Sequence, residues 1–463
     1  MSAGDPLAYL ATRPAPAPAR PYDFPDWTRS VLPGGLTLLA AHLPGRPLLA
    51  AQLLVPGGGT SEPEVLAGVT VLAARAMTEG TAVRDAVALV EATERLGAGI
   101  GADAGWDSLG VSLEVPRSRF APALALLAEV ALQPAFPEAE VERLRDERLN
   151  DLMQVRAEPR RRVERIYPEA VFADGAPYRR PLAGTEATVP GIDRAAVVAR
   201  HAALLRPDTA TLIVAGDLAG IDVAAEATRA FAGWTAPATP APVSRPSPAR
   251  AGGRRIILAD RPGSAQTEVR VGHLGLARST PDFHAVTVLN AILGGLFSSR
   301  LNALLREQRG YTYGVNSSFD MRRHPGPFTV RCAVQSAVTV PALVDILGEL
   351  GRIREAPVAA DELDVARDYL VGVFPLRFES AAQVAAAIGG LVAQGLPDDE
   401  LDRYRPSVAA VTADAVLAAA RAHLDPDGAS IVLVGDAASV AGPLRDAGLG
   451  EVEVVAADGV PGA

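Results

Sequence analysis

The side chains that most often carry out hydrolytic chemistry are few and scattered in this sequence. It has six histidines and one cysteine, and no two histidines lie three or four residues apart. The histidines are His42, His201, His273, His284, His324 and His423. Cys332 alone can form neither a thiolate zinc site nor an internal disulfide, and no G-x-S-x-G turn presents a nucleophilic serine. We therefore expect neither a metal site nor a serine hydrolase site within this chain.

A duplicated framework is predicted to position whatever chemistry remains. Residues 235–253 (TAPATPAPVSRPSPARAGG) contain five prolines and no apolar side chain larger than valine, which favours an extended linker. On either side of it, residues 205–217 (LRPDTATLIVAGD) and 424–436 (LDPDGASIVLVGD) share six of thirteen residues. Each is predicted as a buried strand that follows a helix, with Asp193 and Thr412 as the helix N-caps.

Other elements also recur in the same order in both halves. Strands are predicted at 35–55, 107–115, 254–276 and 326–334, and helix-turn-helix segments at 121–149 and 341–370. We predict an α+β fold of two homologous domains, each a mostly antiparallel sheet packed with helices, in a clam-like arrangement. The expected division is a flexible N-terminal arm over 1–24, a first domain over 25–234, the linker over 235–253 and a second domain over 254–463.

Composition and charge favour a globular protein that binds neither nucleic acid nor membrane. Of the 463 residues, 49% are hydrophobic and 21% are charged, near the average for folded domains. The formal net charge of −10 is opposite to the basic footprint of a nucleic-acid-binding protein. The apolar run at 285–297 is too short to cross a bilayer, and the first 25 residues do not form a secretory signal. A soluble, cytoplasmic protein is expected.

Two segments resemble the two domains of the insulinase and mitochondrial processing peptidase superfamily. They are SEPEVLAGVTVLAARAMTEGT at 61–81 and LGGLFSSRLNALLREQRGYTYGVNSSF at 293–319. Active members of this superfamily carry the zinc motif H-x-x-E-H. When Gly68, Gly80 and Thr81 are aligned without a gap, the five motif positions fall on Val71, Leu72, Ala73, Ala74 and Arg75. The superfamily's distal glutamate ligand falls on Asp151.

The resemblance therefore implies a degenerate zinc site. Val71 has no donor atom, Arg75 would repel a metal cation, and Ala74 cannot act as a general base. We expect no metal in this chain and no peptidase activity of the chain alone. If the chain is one of the superfamily's bacterial two-chain peptidases, the zinc belongs to a homologous partner that carries H-x-x-E-H.

The second half keeps two residues that the superfamily uses at that zinc site. In LREQRGYTYGV they fall on Arg306 and Tyr313, where Gly310 is expected to end a helix and a strand is expected over 313–319. A guanidinium can bind a substrate carbonyl, and a phenol can donate to a developing oxyanion. Without the resemblance, Arg306 would be an exposed helix arginine and Tyr313 an ordinary strand tyrosine.

The resemblance also implies an edge strand that binds extended peptide. The superfamily's asparagine-alanine pair falls on Gly101 and Ala102, so the asparagine is missing. The chain is thus predicted to be the non-catalytic subunit of a heterodimeric metallopeptidase that cleaves unfolded or leader peptides. Two alternatives remain open, a zinc-free scaffold or peptide-binding protein of the same superfamily and, with less support, an unrelated hydrolase.

Overall fold

Two six-stranded sheets form the framework of the protein, which we describe from a computed structural model over residue 17 and residues 19–456. The first sheet consists of β1 (Trp27–Val31), β2 (Thr37–His42), β3 (Leu48–Pro56), β4 (Gly99–Ala104), β5 (Ser108–Pro116) and β6 (Thr211–Gly216). The second consists of β7 (Arg255–Asp260), β8 (Gln266–Leu274), β9 (Val315–Phe319), β10 (Pro327–Gln335), β11 (Ser430–Gly435) and β12 (Glu451–Val455). The spatial orders are β1-β2-β6-β3-β5-β4 and β12-β7-β11-β8-β10-β9.

The two orders confirm the predicted duplication. The repeated sequences at 205–217 and 424–436 form β6 and β11, each fully buried and third in its sheet. Pairing is antiparallel except for β2 with β6, β7 with β11 and β7 with β12. The outer strands differ, because β1 precedes the repeat in sequence while β12 follows it. The predicted α+β fold of two homologous halves is confirmed.

Helices pack against both sheets in the described part of the chain. The first half contains α1 (Val69–Ala76), α2 (Ala86–Arg95), α3 (Phe120–Leu132), α4 (Glu138–Ala157), α5 (Pro159–Val171), α6 (Arg194–Leu204) and α7 (Val223–Ala230). The second contains α8 (Phe283–Asn290), α9 (Arg300–Asn302), α10 (Thr339–Arg352), α11 (Ala360–Val373), α12 (Ala381–Gln394), α13 (Glu400–Ala409), α14 (Ala413–His423) and α15 (Ala437–Asp446). Asp193 and Thr412 cap α6 and α14 as predicted, since their side chains accept hydrogen bonds from the backbone N–H groups of Ala196 and Ala415.

Each half contains one helix that packs against the sheet of the other half. Helix α5 packs on β8 and β11 of the second sheet, where Ile166 lies in one core with Val432. Helix α12 packs on β3 and β6 of the first sheet, where Ile388 lies in one core with Ile213. The Tyr167 hydroxyl, on α5, donates a hydrogen bond of 2.6 Å to the carbonyl of Phe328 on β10. The halves are therefore interlocked through two buried faces.

The connecting segment and the N-terminal residues are tied to the globular body. Within the linker, the Ser247 hydroxyl is buried and accepts a hydrogen bond of 3.0 Å from the backbone N–H of Tyr178. Phe24 is only 4% exposed and meets Phe378 edge to face, with ring centroids 4.9 Å apart. The predicted flexible arm therefore does not extend to residue 24. Residues 1–16 and 18 of that arm lie outside the described residues.

One helical stretch, Phe283–Gln308, is long and apolar enough to cross a membrane by length and composition alone. The sequence prediction considered only its apolar part, residues 285–297. Leu293, Leu301 and Leu305 are fully buried in the second core, so packing within the protein explains why the stretch is apolar.

Candidate functional site

Helix α1 carries the five positions at which the zinc motif is missing. It starts after Gly68, whose φ of 99° is left-handed, and the buried Glu62 carboxylate accepts hydrogen bonds from the N–H groups of Gly68 and Thr70 at 3.0 and 2.7 Å. Ala74 is fully buried, whereas Arg75 is exposed and its guanidinium lies 2.8 Å from the Glu147 carboxylate on α4. The last position of the degenerate motif, Arg75, therefore forms an ion pair that joins α1 to α4.

Asp151, the position of the distal ligand, is also paired with cations. Its carboxylate accepts a hydrogen bond of 2.5 Å from Arg161 and forms a second ion pair with Arg148. The Arg161 guanidinium holds the pKa of this carboxyl below its ordinary value. No group of three or more His, Cys, Asp or Glu side chains in the described part of the chain could hold a metal ion. The residues present therefore do not fit the superfamily's zinc.

The structure brings Arg306 and Tyr313 to one cleft of about 490 Å³ in the second half. Arg306 lies on the π-helical segment Ala303–Gln308, and the chain reverses at Gly310, whose φ of 63° is left-handed as its predicted helix-ending role requires. Tyr313 is 97% exposed. The predicted start of the strand at Tyr313 is wrong, because the Thr312 hydroxyl bonds both the N–H and the carbonyl of Gly314, and β9 begins only at Val315.

The Arg306 side chain is held over an exposed aromatic ring. Its guanidinium carbon lies 3.9 Å from the centre of the Phe297 ring, and Phe297 is 71% exposed. The nearest carboxylate in an ion pair with Arg306 is its exposed neighbour Glu307, at 3.4 Å. The ring restricts the cation without neutralising it, and the contact with Glu307 is made by Nε, so the two terminal nitrogens can still bind an incoming group.

Three further arginines line the same cleft and were not singled out from the sequence. Arg270 on β8 and Arg331 on β10 are directly opposite each other in the strand register, and Asn316 on β9 continues the row. Arg160 reaches the cleft from α5 of the first half. Apolar residues occupy every second position in GPFTVRCAV, so Arg331 faces away from the second core. This alternation is the sequence signal by which Arg331 could have been recognised. Its position opposite Arg270 depends on the pairing of β10 with β8, which are far apart in the sequence.

Cys332 also lines this cleft but is not suited to nucleophilic chemistry. Its side chain is 6% exposed, and burial raises the pKa of its thiol to about 12. A cysteine acts as a nucleophile through its thiolate. The thiol therefore stays protonated at neutral pH and contributes apolar surface.

Gly101 and Ala102 lie on β4, the edge strand of the first sheet, opposite Ser112 and Val111 of β5. The equivalent edge of the second sheet, β9, is partly closed. There the Asn302 side chain donates to the Val315 carbonyl at 2.8 Å and accepts from the Val315 N–H at 3.2 Å. Of the two edges, β4 is the one where a peptide strand could pair without displacing this side chain.

Comparison with known families identifies the class of protein that this fold defines. Residues 38–186 match the insulinase family, peptidase family M16, and residues 191–370 match the peptidase M16 inactive domain. The chain belongs to the M16 peptidase family. The second match and the missing ligands together fit a chain that holds no catalytic zinc.

Proteins from several bacteria share about a quarter of their residues with this chain. An uncharacterized zinc protease of Streptomyces coelicolor is 26% identical over 423 residues, which cover 90% of each chain. An uncharacterized zinc protease of Mycobacterium leprae is 25% identical and covers 78% of this chain and 81% of its own. A non-peptidase homolog of Helicobacter pylori is 22% identical, covering 72% of this chain and 76% of its own.

Solved structures share the architecture. A peptidase M16 inactive domain from Pseudomonas fluorescens superposes with a TM-score of 0.81 at 27% identity, covering 89% of this chain and 98% of its own. A protease from Helicobacter pylori gives a TM-score of 0.80 at 18% identity, covering 89% of this chain and 100% of its own. The second similarity concerns the fold alone.

Proposed function

We propose that the chain is the non-catalytic subunit of a heterodimeric zinc metallopeptidase in the cytoplasm. The observation that carries the proposal is the convergence of Arg306 and Tyr313 on one cleft, with Tyr313 97% exposed. Phe297, which is 71% exposed, lines the same cleft, and exposed aromatic surface gathered in one place marks an interaction site. The partner is a homologous subunit with H-x-x-E-H, whose zinc site this chain completes.

Each of the two side chains has its own chemical role in this proposal. The Arg306 fork binds a backbone carbonyl of the substrate, and the Tyr313 hydroxyl donates to the oxyanion that develops at the scissile bond. The substrate is an unfolded or leader peptide, because only an extended chain fits between two subunits that close like a clam. The open edge of β4, at Gly101 and Ala102, is a second place for such a peptide to bind.

Reconstitution with the partner tests this function. We expect co-expression with a subunit that bears H-x-x-E-H to give a complex that cleaves peptides. Removing one oxyanion donor typically lowers turnover about 10²- to 10³-fold, so we expect Tyr313→Phe to lower kcat on this scale while the complex still assembles. Arg306→Ala, which removes the contact with the substrate carbonyl, should also lower turnover. Matched controls are Arg309→Ala, whose guanidinium pairs with Asp345 at 3.0 Å, and Tyr369→Phe on α11. Unchanged turnover in both site variants would eliminate the catalytic role.

A zinc-free scaffold or peptide-binding protein is the second candidate. The observation that favours it is the ion-paired state of the former ligand positions, with Arg75 bound to Glu147 and Asp151 to Arg161. One relative, that of Helicobacter pylori, is itself named a non-peptidase homolog. The scaffold predicts an assembled complex whose turnover is insensitive to Arg306→Ala and Tyr313→Phe. The same experiment therefore separates the two candidates.

A further inference from the structure

The cleft that contains Arg306 and Tyr313 has an excess of positive charge. Four arginines line it, and among its described lining residues Glu268 is the carboxylate. The arginines are Arg160, Arg270, Arg306 and Arg331. Glu268 is paired with Arg270 at 3.3 Å, and Arg270 is bound by a second carboxylate, Glu164, at 2.9 Å. Of the other three, Arg306 has its exposed neighbour Glu307 at 3.4 Å, and no ion pair to Arg160 or Arg331 exists among the described residues.

Among the described residues, Arg331 lacks the carboxylate partners that its cross-strand neighbour Arg270 has. The two residues lie directly opposite each other on β10 and β8, and like charges at such positions destabilise a sheet. Arg270 has its two glutamates, whereas Arg331 donates to the neutral hydroxyl of Ser318 at 2.7 Å. The Arg331 Nε atom is buried without a hydrogen-bond partner in the described part of the chain. A buried donor in this state costs free energy that a carboxylate ligand would recover.

Arg160 brings positive charge to the same cleft from the other half of the chain. It lies in the first turn of α5, the helix that the first half packs on the second sheet. No ion pair to Arg160 exists among the described residues, although its neighbour Arg161 is bound to Asp151. A ligand that reaches between Arg160 and Arg331 would therefore touch both halves.

We propose that this cleft selects substrate peptides by their carboxylate groups and favours acidic segments. The inference rests on the proposed function, because it takes a peptide to be the ligand. Bidentate pairing with a carboxylate suits the planar guanidinium forks that line the cleft. The local charge points to acidic peptides, opposite to the basic ones that the net charge of −10 would attract. Arg331 and Arg160 are the residues that set the preference.

Direct binding to the full chain, without the partner, tests this inference. Two labelled peptides of equal length, one with glutamate and one with glutamine at the same positions, are titrated and followed by fluorescence anisotropy. We expect the glutamate peptide to bind at least about 10-fold more tightly, as the loss of one charge-assisted hydrogen bond implies. Each peptide is also made with a C-terminal amide. A preference that follows the amide rather than the side chains assigns the site to the terminal carboxylate.

Two substitutions locate the binding site within the cleft. Arg331→Gln and Arg160→Gln should each weaken binding of the glutamate peptide about 10-fold and leave the glutamine peptide unaffected. Arg309→Gln, outside the cleft, should leave both peptides unaffected. Arg160 is exposed, so its variant remains informative if Arg331→Gln fails to fold. Equal binding of the two peptides, or an acidic preference that survives both substitutions, would overturn the inference.

This outcome is distinct from failure of the proposed function. If the acidic preference is missing but Arg306→Ala and Tyr313→Phe still slow the assembled complex, the catalytic role stands and the selectivity does not. If the preference is present while those variants keep full turnover, the cleft binds peptide without assisting the reaction.

Discussion

The guanidinium of Arg306 lies over the Phe297 ring, 3.9 Å from its centre, and both side chains border the cleft that also contains Tyr313. The contact fixes a cation at the surface, and among the described residues its ionic partner is the exposed Glu307. An arginine held in this way loses less conformational entropy when it binds a substrate carbonyl than a free one would. Phe297 is thus a positioning residue for Arg306.

If the chain acts in the proposed two-subunit peptidase, Phe297→Ala should reduce the efficiency of that complex by a modest factor. The loss of a cation–π contact at an exposed site corresponds to about 0.5 to 1 kcal/mol, or roughly a two- to fivefold fall in kcat/KM. Steady-state kinetics on the complex measure it, with Phe297→Tyr as the control that keeps the ring. If Phe297→Ala matches wild type while Arg306→Ala is impaired, the ring does not position the arginine.

The isolated chain should contain far less than one zinc ion per molecule. Arg75 and Arg161 place two cations at the former ligand positions, and Val71 offers no donor atom. Elemental analysis of protein purified without a histidine tag measures the metal. Stoichiometric zinc that survives dialysis against a chelator would contradict the account of α1 and α4.

Gly272→Ala should disrupt the docking of α5 on the second sheet. A Cβ atom at Gly272 would lie 2.0 Å from the Phe328 carbonyl oxygen and 2.4 Å from the Tyr167 hydroxyl. Overpacking of this kind should lower the free energy of unfolding by about 3 kcal/mol. Urea denaturation measures the change.

Gly372→Ala is the matched control for Gly272→Ala. Gly372 lies on α11, is exposed and has open space where a Cβ would be. The same substitution there should raise the free energy of unfolding by about 0.5 to 1 kcal/mol, because alanine is the better helix former. Equal effects at the two positions would show that α5 does not depend on close packing at Gly272.

Stability should fall as the pH is lowered below the ordinary histidine pKa of 6.5. Burial lowers the pKa values of His201, His273 and His284 from 6.5 in the folded protein. The unfolded chain therefore takes up more protons than the folded one below pH 6.5, and acid favours unfolding. Urea denaturation at pH 7.5, 6.5 and 5.5 should show a declining free energy of unfolding.

His201→Gln should reduce this pH dependence. The His201 Nε2 group lies 2.8 Å from the Ala131 carbonyl, so glutamine can keep a donor there without a proton to gain. Because the substitution also alters packing, the change of the free energy of unfolding with pH, rather than its value at one pH, is the quantity that reports on His201. A slope identical to wild type would mean that His201 does not contribute.

The parts of the fold set by local pattern could be predicted from the sequence. The repeat at 205–217 and 424–436 gave two buried strands because β-branched apolar runs between turn residues have few other structures available. Asp193 and Thr412 cap their helices because capping depends on residues a few positions apart. Likewise Gly310 adopts a positive φ where the sequence required a helix to end.

The features that the sequence could not predict depend on long-range packing. Nothing in the local sequence of α5 shows that it covers the sheet of the other half, since an amphipathic helix does not specify its partner. For the same reason Arg160 could not be placed beside Arg331, which is 171 positions away in the sequence. The start of β9 was missed because a threonine side chain, Thr312, locally replaces the ladder hydrogen bonds.

Helices α5 and α12 each pack on the sheet of the other half, and this arrangement also decides where a peptide chamber can open. Separating the halves would expose two sheet faces to water and break the Tyr167 hydrogen bond. Hinge motion between the halves of one chain is therefore strongly opposed. The two halves of the chain are therefore expected to move as one rigid unit. In a two-chain peptidase, a peptide would enter where the two subunits meet. The affinity of the subunits for each other would then set how often that interface opens.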